Sequence, residues 1–302
     1  MTTTRPSFPS RLPSGMPQTG AAPSQASVAK KPAPHTSTSI APKKGAPAAV
    51  SKPATGLKGL KNAVALPQRA SGLGMDSAAV RDRMVSLLAA GGITDIAVLK
   101  AMNTIERHRF VDTALAPQAY EDTSLPIGLS QTISKPNVVA RMISLLRENA
   151  PLDSQGRMGR VLEIGGGCGY QAAVLSLLCK EVYSVERLRG LYEKALNNIR
   201  HLSAPNLHLL LGDGMLGSPS GAPYAGIIAA AGGEAIPQAW IDQLAVGGRI
   251  VAPIHTPIHG SGGGSAGATR SQSLIVIDKT AQGLKQSVLE SVLFVPLKSG
   301  IV

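Results

Sequence analysis

Two cysteines, one tryptophan, five tyrosines and three phenylalanines in 302 residues leave this chain short of the residues on which several protein classes depend. Cys168 and Cys179 cannot supply the disulfide framework of a small secreted domain. They flank an expected helix, which separates them by about 16 Å along its axis, too far for a bridge. Without a neighbouring histidine they do not complete a tetrahedral zinc set either. His255 and His259 flank Pro257, and the proline and nearby glycines break the helix that would align them, so no metal site is expected. Apolar runs stay below the roughly 18 residues of a membrane span, and no signal-peptide core follows the first arginines. The expectation is a soluble, cytoplasmic, monomeric protein.

Acidic residues are missing altogether from residues 1–75, which carry ten Lys or Arg, half of the 22 prolines and Phe8 as their sole aromatic. Such a segment has too little apolar surface to offset the entropy of ordering it, so residues 1–75 read as a disordered basic tail. Residues 76–302 hold 20 basic and 18 acidic residues, so the formal charge of +12 shrinks there to +2. Any pull on nucleic acid or an anionic membrane belongs to the tail and is salt-sensitive. No specific nucleic-acid partner is expected.

From residue 76 the pattern becomes that of one folded domain. Val80, Met84, Leu87 and Leu88 recur at helical spacing until Gly91 and Gly92, and a second short helix is expected over 96–102. These two form a small helical cap. Residues 106–136 read as a long ordered loop, of a length that is often functional. A helix follows over 138–146, with Asn137 as its cap.

Strands are then expected at 160–164, 181–185, 207–211, 224–230 and 249–253. Helices at 171–178, 188–202 and 237–244 lie between them. Val-, Ile- and Leu-rich strands alternating with helices argue for an α/β, Rossmann-like fold with a mostly parallel sheet and helices on both faces. Two further β-like runs, 273–278 and 291–295, would add an antiparallel edge. Between them and the fifth strand, residues 260–267 read as a flexible glycine-rich surface loop.

The most telling stretch is Val161-Leu-Glu-Ile-Gly-Gly-Gly-Cys-Gly-Tyr170. An apolar strand runs into a turn with Gly165, Gly167 and Gly169, where missing side chains permit a tight bend and close approach of a ligand. Glu186 closes the next strand, where a carboxylate can accept from both hydroxyls of a ribose. Asp213, followed by Gly214, closes the third strand within reach of an adenine amino group. The glycine spacing is shorter than the dinucleotide fingerprint and runs at once into Tyr170 and Gln171. Together these features suit S-adenosyl-L-methionine better than NAD.

The residues also resemble a known family, the protein-L-isoaspartate (D-aspartate) O-methyltransferases. The likeness spans roughly residues 80–297 and rests on Arg107-His-Arg-Phe-Val111, Ala119-Tyr-Glu-Asp122, Leu125-Pro-Ile-Gly128 and Gln131-Thr-Ile-Ser-Lys-Pro136. It extends through the glycine turn, Glu186, Asp213 and Phe294-Val-Pro-Leu297. The resemblance implies a Rossmann-like methyltransferase fold over residues 76–302. It implies methyl transfer from S-adenosyl-L-methionine to the α-carboxylate of L-isoaspartyl residues in damaged proteins or peptides, which starts repair through a succinimide. It makes Ser134 the active-site residue, with Thr132 on the same substrate-facing loop. Glu163, Gly165, Gly167, Gly169, Gln171, Glu186, Asp213 and Gly214 become the cofactor-binding set. His108 and Arg109 read as structural, and Trp240 as core.

This chain departs from the family pattern in places. Gly166 stands where Thr or Ser is usual, Cys168 where a hydroxyl or another small residue is, Ala225 where an acid is common, and residues 229–233, within the altered stretch 226–233, lack the family's threonine and proline. A degenerate binding module, a methyltransferase for another substrate and an NAD-dependent oxidoreductase are the rival readings.

Overall fold

The computed structural model describes residues 78–257 and 270–302. The expected tail, the glycine-rich loop and His259 lie outside these residues.

Two helices open the fold, α1 (Ala78–Ala90) and α2 (Ile96–Thr104). Asp95 caps α2 by accepting from the Ala97 and Val98 amides, which satisfies two N–H groups that the first turn leaves open. Residues 106–136 contain more than the loop expected for them. Two 3-10 turns, Arg107–Phe110 and Thr113–Gln118, lead into an antiparallel hairpin of β1 (Leu125–Gly128) and β2 (Gln131–Ile133). The next helix, α3 (Pro136–Arg147), is not capped by Asn137. Lys135 is its cap residue and Pro136 fills the first helical position, where a missing N–H costs nothing. The Asn137 amide is instead taken by Asp122 Oδ1 at 2.8 Å.

The sheet follows the expected alternation: β3 (Met158–Ile164), α4 (Tyr170–Ser176), β4 (Cys179–Glu186), α5 (Arg189–Ile199), β5 (Leu207–Leu211), β6 (Tyr224–Ala229), α6 (Gln238–Gln243) and β7 (Leu244–Pro257). Two antiparallel strands, β8 (Arg270–Thr280) and β9 (Gly283–Val292), complete a seven-stranded sheet ordered β5-β4-β3-β6-β7-β8-β9. The last strand therefore begins earlier than the expected 291–295 run.

Alternation along β3 feeds two cores. Val161 joins one with residues of α1 to α5, while Leu162 and Ile164 join another around Trp240 of α6. β3 is flanked in parallel by β4 on one side and β6 on the other. The chain thus leaves β3 in opposite directions, which opens a crevice at the carboxyl ends of the central strands. No helix among the described residues is long and apolar enough to cross a membrane.

Candidate active site

The glycine turn occupies that crevice. Gly165, Gly167 and Gly169 have φ of +83°, +55° and +87°, values that L side chains rarely adopt. A Cβ at Gly167 would also lie 3.3 Å from Ile127 Cδ1. At Gly166 a Cβ would collide with Ser184 Oγ, which reaches across from β4 and donates to Glu163 Oε2. A hydroxyl missing from the turn at Gly166 is therefore matched by one on the adjacent strand. Cys168 is buried, and burial pushes its thiol up to about 11, so it stays protonated and is no nucleophile at neutral pH.

Two carboxyl groups stand below the turn. Glu186, at the end of β4, accepts from the Gly167 amide through Oε2 and from the Leu188 amide through Oε1, both at 2.8 Å. Each oxygen keeps a lone pair for a further donor. Glu163 is fully buried, and its carboxyl is pushed up to about 8, chiefly by burial, with repulsion from Glu186 added. Its Oε1 and the nearby buried Gln171 Nε2 have no hydrogen-bond partner.

Asp213 sits after β5 and is tied to backbone. Oδ1 accepts from the Met215 amide at 2.8 Å and Oδ2 from the Gly300 amide at 2.7 Å. Gly214 packs where a Cβ would come within 2.6 Å of Ile164 Cγ2, and its carbonyl accepts from the buried Trp240 indole at 2.8 Å. Trp240 is core, as expected, and it also holds one wall of the site in place.

A cavity of about 410 Å³ lies over these groups. Of the expected site residues, Thr132, Ser134, Glu163, Gly165, Gly167, Gln171, Glu186 and Gly214 line it, whereas Gly169 and Asp213 do not. Gly169 lies behind it as the cap residue of α4, against Ala195 and Ile199 of α5. A second cavity of about 550 Å³ runs toward β9. The two share Thr132, Ser134, Ala230 and Val295, so the expected catalytic pair stands on their common wall.

That wall is held from several directions. Lys194 of α5 donates to the Ile127 carbonyl and to Asp112, both at 2.9 Å, and so ties the hairpin down. The hairpin tip turns through three successive left-handed residues, Gly128, Leu129 and Ser130. Arg107, fully buried, donates to the carbonyls of Ala119 and Ser134 at 2.8 Å each. The Ser134 hydroxyl makes no hydrogen bond to any described residue and is half-buried. Sequence reasoning assigned no role to Arg107, Lys194 or Ser184. Their partners lie 12 to 82 residues away, and no local pattern marks them.

The departures fall unevenly. Ala225 is not part of either cavity; it packs against Gly159 at the start of β3. In residues 226–233, Ala230 and Ala231 do line the first cavity. Gly232 then exchanges backbone bonds with Val295 and Leu297 at 2.8 Å each, where a Cβ would meet the Gln272 amide. The altered segment thus still supplies two residues to the lining and is anchored by Gly232.

The family model for protein-L-isoaspartate(D-aspartate) O-methyltransferase (PCMT) matches residues 79–301. A protein-L-isoaspartate O-methyltransferase of Methylibium petroleiphilum is 58% identical over 231 residues, covering 76% of this chain and 81% of its own. One from Leptothrix cholodnii is 52% identical, covering 78% and 79%. A solved protein-L-isoaspartate O-methyltransferase superposes with a TM-score of 0.60 at 28% identity, over 72% of this chain and 66% of that one. A structure from Plasmodium falciparum, at 22% identity and a TM-score of 0.59, supports the fold. The chain belongs to the protein-L-isoaspartate(D-aspartate) O-methyltransferase family and is an S-adenosylmethionine-dependent methyltransferase of isoaspartyl residues.

Proposed function

We propose that the two cavities divide this reaction, the methyl donor lying in the first and the isoaspartyl α-carboxylate entering from the second, with Ser134 at the boundary. The observation that carries this is the common wall: Thr132 and Ser134 line both cavities. S-adenosyl-L-methionine in the first supplies the methyl group on a sulfonium that leaves as a neutral thioether and needs no proton.

The residues present suit such a ligand. Gly165 and Gly167 let the backbone approach it, and Glu186 has lone pairs left for the ribose hydroxyls. The unpartnered polar atoms of Glu163 and Gln171 suit its polar amino-acid end. Asp213, set behind the lining, holds the corner beside Gly214 through its two backbone bonds, and Gly169 sets the start of α4. The attacking carboxylate is ionised at neutral pH, so no general base is required. Ser134 donates a hydrogen bond that orients it, with Thr132 beside it, and catalysis comes from positioning and exclusion of water.

In this reading residues 76–302 are the catalytic domain and 1–75 an accessory tail. The protein acts as a monomer in the cytoplasm without a specific nucleic-acid partner. Two free, buried cysteines and the near-balanced charge of 76–302 support that setting.

A hydrogen bond to a charged group is worth about 1.5–3 kcal/mol. Ser134→Ala should therefore lower kcat/KM for an isoaspartyl peptide roughly 10- to 100-fold, leaving S-adenosylhomocysteine affinity unchanged and the aspartyl twin unmethylated. Unchanged turnover in this variant would remove Ser134 from the reaction.

A further inference from the structure

Arg107 is fully buried, yet no described carboxylate lies within ion-pair distance of it. The other buried arginine, Arg147, has Asp95 at 2.9 Å. Arg107 has instead two carbonyls, those of Ala119 and Ser134, and the face of Tyr170 at 4.8 Å. Its Nη1 has no partner. Burial lowers its pKa, while Tyr170, Cys168 and, least, Asp122 act the other way. The guanidinium stays charged regardless. Carbonyl dipoles and a ring face attenuate a buried cation without neutralising it.

The place of this charge gives it a use. It lies directly behind Ser134, one layer beneath the wall common to both cavities. Of the other cations lining the two cavities, Arg141 is matched by Glu290 at 3.0 Å and Lys135 by Asp122 at 3.8 Å, while Arg187, held by the carbonyls of Ser299 and Gly300, and Lys298 are more open to water than Arg107. On the donor side the turn stands over Glu186 and over Glu163, whose carboxyl burial keeps protonated at neutral pH. An anion arriving at Ser134 therefore meets Arg107 as the unmatched charge least screened by water.

We propose that Arg107 is the positioning residue of the 131–136 loop and the built-in counter-charge for the isoaspartyl carboxylate. This rests on the reading that the carboxylate binds at Ser134. Methyl transfer converts that carboxylate into a neutral ester, so the attraction acts on substrate and vanishes in product. Arg107 thereby favours binding of the damaged peptide over retention of its ester.

The test compares the affinity of the full chain, loaded with S-adenosylhomocysteine, for an isoaspartyl peptide and for its isoasparaginyl analogue, in which a neutral carboxamide replaces the carboxylate. The wild-type protein should favour the carboxylate about tenfold or more. Arg107→Met should bring the ratio close to one. Arg107→Lys, which keeps the charge but not the double carbonyl bond, should restore most of the ratio while kcat stays low. A purely structural residue would weaken both peptides equally, and an unchanged ratio in the Met variant would overturn the proposal. So would a wild-type protein indifferent to the two peptides, a result that needs no variant to fold. If Ser134→Ala slows turnover while the Arg107 ratio does not move, the counter-charge alone is refuted; if Ser134→Ala has no effect, the underlying reading fails.

Discussion

Replacing Glu163 with glutamine should change how stability depends on pH. The carboxyl is fully buried beside Ser184, Gln171 and Glu186, and burial raises it from an ordinary 4.5 to about 8. A folded chain that holds a proton more tightly than the unfolded chain loses stability as pH rises between those two values. Glu163 thus contributes its full stability below about 4.5, and the contribution has drained away once pH passes 8. One proton's linkage, about 1.4 kcal/mol per pH unit, accumulates to about 5 kcal/mol across that window. Glu163→Gln mimics the protonated side chain and never ionises, so its stability should lack this descent. Urea unfolding of ligand-free wild type and variant at steps from pH 5 to 8.5 reads the effect. Subtracting the two curves cancels every other titrating group, and the difference should grow in favour of the variant with rising pH. Parallel curves would mean that Glu163 ionises as readily inside the protein as outside, and the desolvation argument would fall.

Gly166→Ser places a side chain where the Ser184 hydroxyl lies and should lower thermal stability, with Gly166→Ser/Ser184→Ala recovering much of the loss. A double-mutant cycle with no coupling between the two positions would contradict the shared space. Asp213→Ala removes the acceptor for two backbone amides, each bond to a carboxylate worth about 1.5–3 kcal/mol. It should weaken S-adenosylhomocysteine binding in calorimetry and make the residues around Gly300 a new protease site; a variant with native affinity and native resistance would show that the corner is held by other contacts.

Much of this architecture is legible in the sequence because the central strands are buried on both sides and contain little but Val, Ile, Leu and Ala. β6 and the end of β3 read plainly for that reason. β9 escaped because its residues are mostly exposed, and Lys285, Gln286 and Ser287 give it neither an apolar run nor a clean alternation. The hairpin at Leu125–Ile133 was hidden by its shortness and by Pro126 and Gly128, which signal a turn more loudly than a strand. Within the site, the glycine turn and Glu186 are local in sequence and read together. Asp213 was placed by its strand end, but its direction depends on Gly300, 87 residues away. Arg107 lay in plain view within a motif, but a cation's burial depends on groups that converge only in three dimensions.

The two cavities are made of different material. The first is carved from the carboxyl ends of buried strands and from glycines that tolerate no side chain, so most changes there are felt by the fold itself. The second borrows much of its lining from the end of an exposed edge strand and the segment after it, Glu290 through Val295. Substitutions along that edge cost the core little. On the proposed division of the reaction, the substrate side can change its lining at little cost to the fold, whereas the donor side cannot, and Ser134 stands where the two meet.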